Sequence, residues 1–202
     1  MNNKNILIIF TRNPILGKVK TRLAKSVGNQ TALDIYLFLL NKTKEVTKNL
    51  HCDKVIFYSE EIMKNDLWNK TIYKKEVQFG DDLGAKMKNA FKTFFENKYE
   101  KVVLIGSDLF DLEASLIYEA FEKLEKNEVV IGPALDGGYY LLGLKNIHPK
   151  IFQNKNWGSS SVRRDTLKNL EKVDVHLLTT LNDIDVIEDI EHHPAFTKFL
   201  SI

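Results

Sequence analysis

The chain has 202 residues, of which 44% are hydrophobic and 28% charged, and its formal net charge is +2. That composition is ordinary for a globular protein, and at this length one domain spanning residues 1–202 is expected. The near-neutral balance argues against a nucleic-acid binder working by bulk charge, the single Cys52 excludes a disulfide framework or a cysteine-rich zinc site, and no apolar run approaches the roughly 20 residues of a membrane span.

Ile6–Phe10 is a short continuous apolar run, as expected of a central parallel strand covered on both faces. It is too short for a signal-peptide core, and Arg12 breaks the apolar character directly after it, so a cytoplasmic location is expected. The strand empties into a loop, Phe10–Arg22, punctuated by Pro14 and Gly17. The loop carries Arg12, Lys18, Lys20 and Arg22 and no acid, the first acid of the chain being Asp34. A basic loop at a strand end suits phosphate oxygens, which Arg meets as a planar fork and Lys as a point charge. A nucleotide or another phosphorylated ligand is therefore indicated. The loop is no P-loop, because Arg12 stands at the first Gly position and Val19 follows Lys18 where Ser or Thr is required. A solvated basic loop entering a helix is the competing reading.

Thr31–Leu50 reads as a helix, with Ala32, Leu33, Tyr36, Leu37, Leu40 and Val46 at helical spacing. Lys54–Tyr58 is a strand, and a weaker one lies near Thr71–Gln78. Asp82–Phe95 is an amphipathic helix carrying Leu83, Met87, Ala90, Phe91 and Phe94 on one face. The next strand, Lys101–Ile105, ends at Gly106-Ser107-Asp108. An acid at a strand tip suits a hard cation such as Mg²⁺. The competing reading, which the residue taken alone favours, is an N-cap at Ser107, Asp108 or Asp111 for the following helix, Ala114–Leu124.

Val129–Ile131 and Tyr139–Leu142 are strands bracketing a segment that holds Asp136, Gly137 and Gly138. These three favour a hairpin turn and also let backbone approach a ligand closely. Trp157-Gly158-Ser159-Ser160-Ser161 is either a substrate loop or the cap of a helix over Ser160–Leu170. Val173–Leu178 is a last strand, followed by a short terminal helix over Asp185–His192. Asp183 and Asp185, two apart in extended chain, point the same way and suit a shared cation or the first turn of that helix. His192-His193 lacks a partner cluster and reads as a helix end.

Strands alternate with helices, which indicates an α/β fold with a mainly parallel sheet and a ligand site at the carboxyl ends of the strands. The pieces, in this order, resemble the bacterial glycosyltransferases of the glycosyltransferase-A type, the radical-SAM/selenodomain-associated transferases. These belong to the nucleotide-diphospho-sugar transferase superfamily. The resemblance covers about Ile6 to Ile190. Pro14, Gly17, Val19, Lys20, Thr21, Arg22 and Leu23 match the opening motif, with Arg12 for a usual Lys. Val77 to Gly84 match a second motif, with Lys86 for a usual Arg. Gly106-Ser107-Asp108 and Asp111-Leu112 match a third, with Leu109-Phe110 in place of Cys-Pro. Gly132-Pro133-Ala134 and Asp136 to Tyr140 match a fourth, with Leu135 for a frequent Asp. Asp183-Ile184-Asp185 and Glu188-Asp189 match the last, with Val186-Ile187 for Thr-Pro, while Trp157 and Ser159 resemble a Trp-Ser-Thr segment loosely.

The resemblance implies a Rossmann-like glycosyltransferase-A fold, a central mixed sheet of about seven strands flanked by helices. It implies a transferase using a nucleotide or nucleotide-sugar donor, a small-molecule acceptor and Mg²⁺ or Mn²⁺. Lys20, Arg22 and Asp108 are the expected catalytic residues. Arg12, Gly17, Lys20, Arg22, Gln78 and Asp82 are expected at the nucleotide, and Asp136, Gly137 and Gly138 at the acceptor or sugar. Asp108, with Asp183 or Asp185, is expected at the metal. Nucleotidyl transfer to a phosphorylated acceptor, with release of pyrophosphate, is the alternative reaction. A nucleotide-binding protein without turnover is a further alternative.

Overall fold

The computed structural model describes residues 4–200. Its centre is a seven-stranded sheet. In chain order the strands are β1 (Asn5–Thr11), β2 (Asp53–Tyr58), β3 (Lys74–Val77), β4 (Lys101–Ile105), β5 (Val129–Pro133), β6 (Tyr139–Leu144) and β7 (Val175–Leu177). Their order across the sheet is β3-β2-β1-β4-β6-β5-β7. Every pairing is parallel except those of β6, which runs antiparallel to β4 and to β5. The expected mixed, mainly parallel α/β sheet is the observed one.

Alternation along β1 sends side chains to two cores. Leu7 and Ile9 join Tyr36, Leu40, Ile117 and Phe121 beneath α2 (Asn29–Thr47) and α4 (Ala114–Lys123). Ile6, Ile8 and Phe10 join Met87, Phe91, Phe94 and Phe152 beneath α3 (Leu83–Glu96). Both faces of the strand are covered, which is why the run is apolar at every position. The chain leaves β1 for β2 and β3 on one side and returns as β4 on the other. Strand order therefore reverses between β1 and β4, and a crevice opens at their carboxyl ends.

Two elements differ from expectation. The basic loop leads into α1 (Thr21–Val27), a helix without a conventional cap: its N-cap is Lys20, whose side chain makes no capping bond. Gly28, at φ 84°, ends α1 and begins α2. The terminal segment is not one helix over Asp185–His192. It forms 3-10 turns at Ile187–Asp189 and Pro194–Phe196, followed by α6 (Thr197–Leu200). Ile184, Ile190 and Phe196 pack on Leu23, Ile35 and Leu39, so burial against α1 and α2 sets this path in place of helical propensity. The remaining helix, α5 (Val162–Asn169), starts after the Trp157–Ser161 loop.

Candidate active site

A cleft of about 690 Å³ lies over the carboxyl ends of β1 and β4, and Arg12, Lys20, Arg22, Gln78, Asp108 and Asp185 all line it. Its centre is an ion-pair chain. Lys20 Nζ lies 2.8 Å from Asp108 Oδ2 and 3.6 Å from Asp185 Oδ1, and Arg22 Nη1 lies 2.8 Å from Asp185 Oδ2. The amino-terminal basic loop and two acidic segments far away in sequence thus meet.

Backbone geometry aims Lys20 inward. It sits at φ 47° and ψ 43°, a left-handed conformation uncommon for a residue with a side chain, and one that is held only where the surroundings fix it. The Lys20 side chain is 4% exposed, whereas that of Asp108 is 41% exposed and opens on the cleft. Burial opposes the Lys20 charge, but the Asp108 carboxylate, with Asp185 and Asp183, outweighs it and holds the pKa above the usual lysine value. Burial likewise opposes the charge of Asp108, and Lys20 outweighs it and holds that carboxyl low. Both groups are ionised at neutral pH.

Asp183 behaves differently. Burial, and then the nearby charges of Asp108 and Asp136, push its pKa up to about 7. Its Oδ1 is buried without a hydrogen-bond partner among the described residues. More carboxylate is gathered here than Lys20 neutralises.

The acidic segment is held in place by the chain. Ile184 N–H donates to Asp108 C=O at 3.3 Å, and Leu109 pairs with Asp183 as an isolated antiparallel bridge. Phe110 stacks on Phe38 at 5.6 Å and meets Phe196 edge-on at 5.2 Å. Leu109-Phe110, where the resembled family has Cys-Pro, is therefore the anchor of this loop. Asp189 Oδ2 accepts from the N–H groups of Asp185 and Val186 at 2.7 and 2.8 Å, which fixes the turn that presents Asp185.

Tyr36 ties the other side together. Its hydroxyl accepts from Arg12 N–H at 2.8 Å and lies 3.0 Å from Thr11 Oγ1 and 3.3 Å from Ser107 Oγ. One phenol on α2 thus joins the ends of β1 and β4. Tyr36→Phe leaves the Arg12 amide without its partner. A loss of about 1–3 kcal/mol is expected, read from the urea midpoint at constant slope.

Other expected residues fall in different places. Arg12 is an exposed wall residue of the cleft. Gln78 lines the cleft, but its amide N–H₂ bonds the carbonyls of Thr11 and Phe57 at 3.2 and 3.0 Å, joining β1, β2 and the end of β3. Asp82 is not on the cleft wall. Its Oδ1 accepts from Ala85 N–H at 2.7 Å and caps α3, while Leu83 and Lys86 beyond it reach the cleft. Gly17 is also off the wall and supplies φ 76° to the turn between Ile15 and Lys18.

Asp136, Gly138 and Asp183 line a second, adjoining pocket of about 220 Å³. Gly137 does not. At φ 93°, a Cβ on it would lie 2.3 Å from Ser160 C=O, so its missing side chain makes room for the Trp157–Ser161 loop and not for a ligand. Asp108, Asp183 and Asp185 do not form a ready cage, and among the described residues no three His, Cys, Asp or Glu side chains close round a point that holds a metal ion. The Lys20 ammonium lies between Asp108 and Asp185, and Asp183 faces the adjoining pocket.

Sequence reasoning missed Tyr36, Asp189 and Asn13 as site-shaping groups. Asn13 is buried, and its side chain bonds Glu61 C=O at 2.8 Å and Glu60 N–H at 3.0 Å, which holds that rim of the cleft.

The sheet order and the crevice define the fold class of nucleotide-diphospho-sugar transferases and cytidylyltransferases. The chain belongs to the DUF2064 family of uncharacterized proteins conserved in bacteria, whose model matches residues 42–159. It is similar to a protein of Desulfovibrio desulfuricans G20 assigned as a nucleotide-diphospho-sugar transferase. Identity is 30% over 98% of this chain and 91% of that one, with a TM-score of 0.85. The 4-diphosphocytidyl-2C-methyl-D-erythritol synthase of Anaerococcus prevotii DSM 20548 shares the fold at 12% identity, a TM-score of 0.59 and 96% coverage of both chains. A Mycobacterium tuberculosis H37Rv protein solved in complex with manganese does so at 12% identity and a TM-score of 0.57, over 93% of this chain and 96% of that one. No curated protein matches the chain. No helix among the described residues is long and apolar enough to cross a membrane.

Proposed function

We propose that the chain is a transferase that binds a nucleotide or nucleotide-sugar donor in the large cleft, with its phosphates on Lys20, Arg22 and Arg12. The observation that carries this reading is the ion-pair chain of Lys20, Arg22, Asp108 and Asp185 at the strand-order switch. Arg22 is exposed and can turn from Asp185 to a phosphate oxygen, where its fork makes two charge-assisted bonds. Lys20 is buried and stays, a fixed point charge against which charge developing on a leaving diphosphate or an attacked α-phosphate is stabilised.

The residues fit a divalent cation. Asp108 and Asp185 both line the cleft beside the phosphate-facing cations, and Mg²⁺ needs only one or two carboxylates beside phosphate oxygens and waters. Asp108 and Asp185 would hold Mg²⁺ or Mn²⁺, which when bound supplies neutralising charge to the phosphates. The manganese complex of the M. tuberculosis protein of the same fold supports this choice.

The Desulfovibrio similarity favours glycosyl transfer. The cytidylyltransferases of the same fold favour the second reading, nucleotidyl transfer with release of pyrophosphate. Thermal shift with nucleoside triphosphates and nucleotide sugars, each with and without Mg²⁺ or Mn²⁺, separates them. Stabilisation by nucleotide sugars supports the first reading and stabilisation by triphosphates alone the second. Binding with no product across an acceptor panel supports a protein without turnover. No shift with any nucleotide overturns the assignment of the cleft.

A further inference from the structure

We infer that Arg22 is a latch on Asp185: it holds that carboxylate closed to a divalent cation until phosphates draw it away, so that cation and phosphorylated ligand strengthen each other's binding. The inference deepens the proposed function and rests on the large cleft receiving both.

Asp185 has both carboxylate oxygens committed to cations of the chain. Its Oδ2 lies 2.8 Å from Arg22 Nη1, and its Oδ1 lies 3.6 Å from Lys20 Nζ. Asp108 in turn gives Oδ2 to Lys20 at 2.8 Å. A hard cation such as Mg²⁺ needs an oxygen at about 2.0–2.1 Å. An ion on either oxygen of Asp185 and the side-chain cation already facing that oxygen are like charges within about 6 Å of each other, and they repel. Asp185 therefore has to give up a partner before it serves as a ligand.

Burial decides which partner leaves. The Lys20 side chain is 4% exposed, is held by Asp108 as well as by Asp185, and leaves a left-handed backbone that fixes its direction. The Arg22 side chain is 66% exposed and that of Asp185 44%, so their pair stands largely in solvent, where an ion pair contributes little and breaks readily. The Asp185 end is rigid, because Asp189 Oδ2 accepts from the N–H groups of Asp185 and Val186 at 2.7 and 2.8 Å. At the other end Arg22 is the second residue of α1, with its backbone fixed in the helix and its side chain on the cleft wall. Opening the latch is thus a side-chain rotation without a backbone shift. A phosphate drives it by offering the guanidinium a two-point contact in place of the Nη1 contact with Asp185.

The exchange couples the two ligands. Whichever binds first breaks the Arg22–Asp185 pair, and the second finds the pair already broken. The coupling is reciprocal: phosphates raise cation affinity by the factor by which the cation raises phosphate affinity. Direct attraction between cation and phosphate adds to this, but only the latch depends on Arg22. A residue that binds phosphates therefore weakens the cation when it is bound alone.

The test measures Mn²⁺ binding to the full chain from the electron paramagnetic resonance signal of free Mn²⁺, alone and with each of UDP, CDP, ADP and GDP, against protein-free mixtures. Glutamine suits an exposed helical position, so Arg22→Gln keeps the fold. It is expected to bind Mn²⁺ alone about fivefold more tightly than the parent, and the enhancement of Mn²⁺ affinity by nucleotide is expected to be about fivefold smaller. Lys25→Gln removes a charge of the same sign from the exposed face of the same helix and is expected to change either value by less than about twofold. An equal gain in Lys25→Gln reduces the effect to bulk charge and overturns the inference. Combining Arg22→Gln with Asp185→Asn is expected to abolish the gain, and a gain that survives overturns the inference as well. So does Arg22→Gln binding Mn²⁺ no more tightly than the parent, or an enhancement by nucleotide equal in both. Nucleotide binding by the parent is read in the same titrations. If the parent binds no nucleotide while Arg22→Gln binds Mn²⁺ more tightly through Asp185, the nucleotide reading of the cleft fails and the closure of Asp185 by Arg22 stands.

Discussion

Lys20→Met is expected to lower turnover by about 10²–10³-fold, the usual consequence of removing one fixed group that stabilises charge in the reacting state. Methionine fills the slot that the lysine stem occupies, so packing survives and the effect isolates the charge. Nucleotide affinity should fall as well, because Lys20 is a cation of the cleft anchored from two sides, at 2.8 Å by Asp108 and 3.6 Å by Asp185. Lys20→Arg should not rescue the loss. The side chain is 4% exposed, and a planar fork does not fit where a compact ammonium is enclosed. The substitution to methionine also leaves Asp108, Asp183 and Asp185 facing one another without their shared counter-charge. Stability at neutral pH should therefore drop by about 1–3 kcal/mol, and Mg²⁺ should restore part of it. Urea unfolding with and without Mg²⁺, beside nucleotide titration, checks both halves. Unchanged nucleotide affinity in a folded Lys20→Met protein would remove Lys20 from the phosphate site.

The same residue explains what was legible in the sequence and what was not. That the segments carrying Lys20, Arg22 and Asp108 meet was readable, because both follow apolar strands and parallel sheets bring strand ends to one edge whatever the intervening chain does. The helix that carries Lys20 at its start was not readable. Its N-cap is a lysine in a left-handed conformation, without the Ser, Thr, Asp or Asn that announces a helix. The terminal helix failed for the opposite reason. Asp185 to His192 has good helical chemistry, but Asp189 commits its carboxylate to the backbone of Asp185 and Val186, and Ile190 is drawn onto α1 and α2.

Residues with two uses marked the boundary of what sequence resolves. An Asp before an apolar helix is both a cap and a ligand candidate, and a paired Gly serves both a tight turn and a close approach. Asp82 proved to be the cap and Gly137 the close packing. Tyr36 and Asn13 lay beyond reach because their partners are far off in sequence, at Thr11, Arg12 and Ser107 and at Glu60 and Glu61. Only tertiary structure places those partners.

Asp108→Asn addresses the cation directly, and the choice of asparagine matters. The amide oxygen still accepts from Lys20 Nζ, so the lysine keeps its hydrogen bond and its place. What disappears is the carboxylate charge, which Lys20 holds below the usual carboxylate range. Two roles for Asp108 then predict different results. If it only positions Lys20, nucleotide binding should remain as dependent on Mg²⁺ or Mn²⁺ as in the parent protein. If it holds the cation, the affinity ratio with and without metal should fall from about tenfold or more to near one, because Asp185 alone is a poor anchor for a hard ion. The second outcome is expected. The fold should survive at a cost of about 1–3 kcal/mol, since Lys20 retains Asp185 and the Asp108 site is half open to solvent. Isothermal titration of nucleotide across a Mg²⁺ series reads the ratio without relying on turnover. A fully metal-dependent Asp108→Asn protein would leave Asp108 as a partner of Lys20 and move the cation to Asp185 and the phosphates.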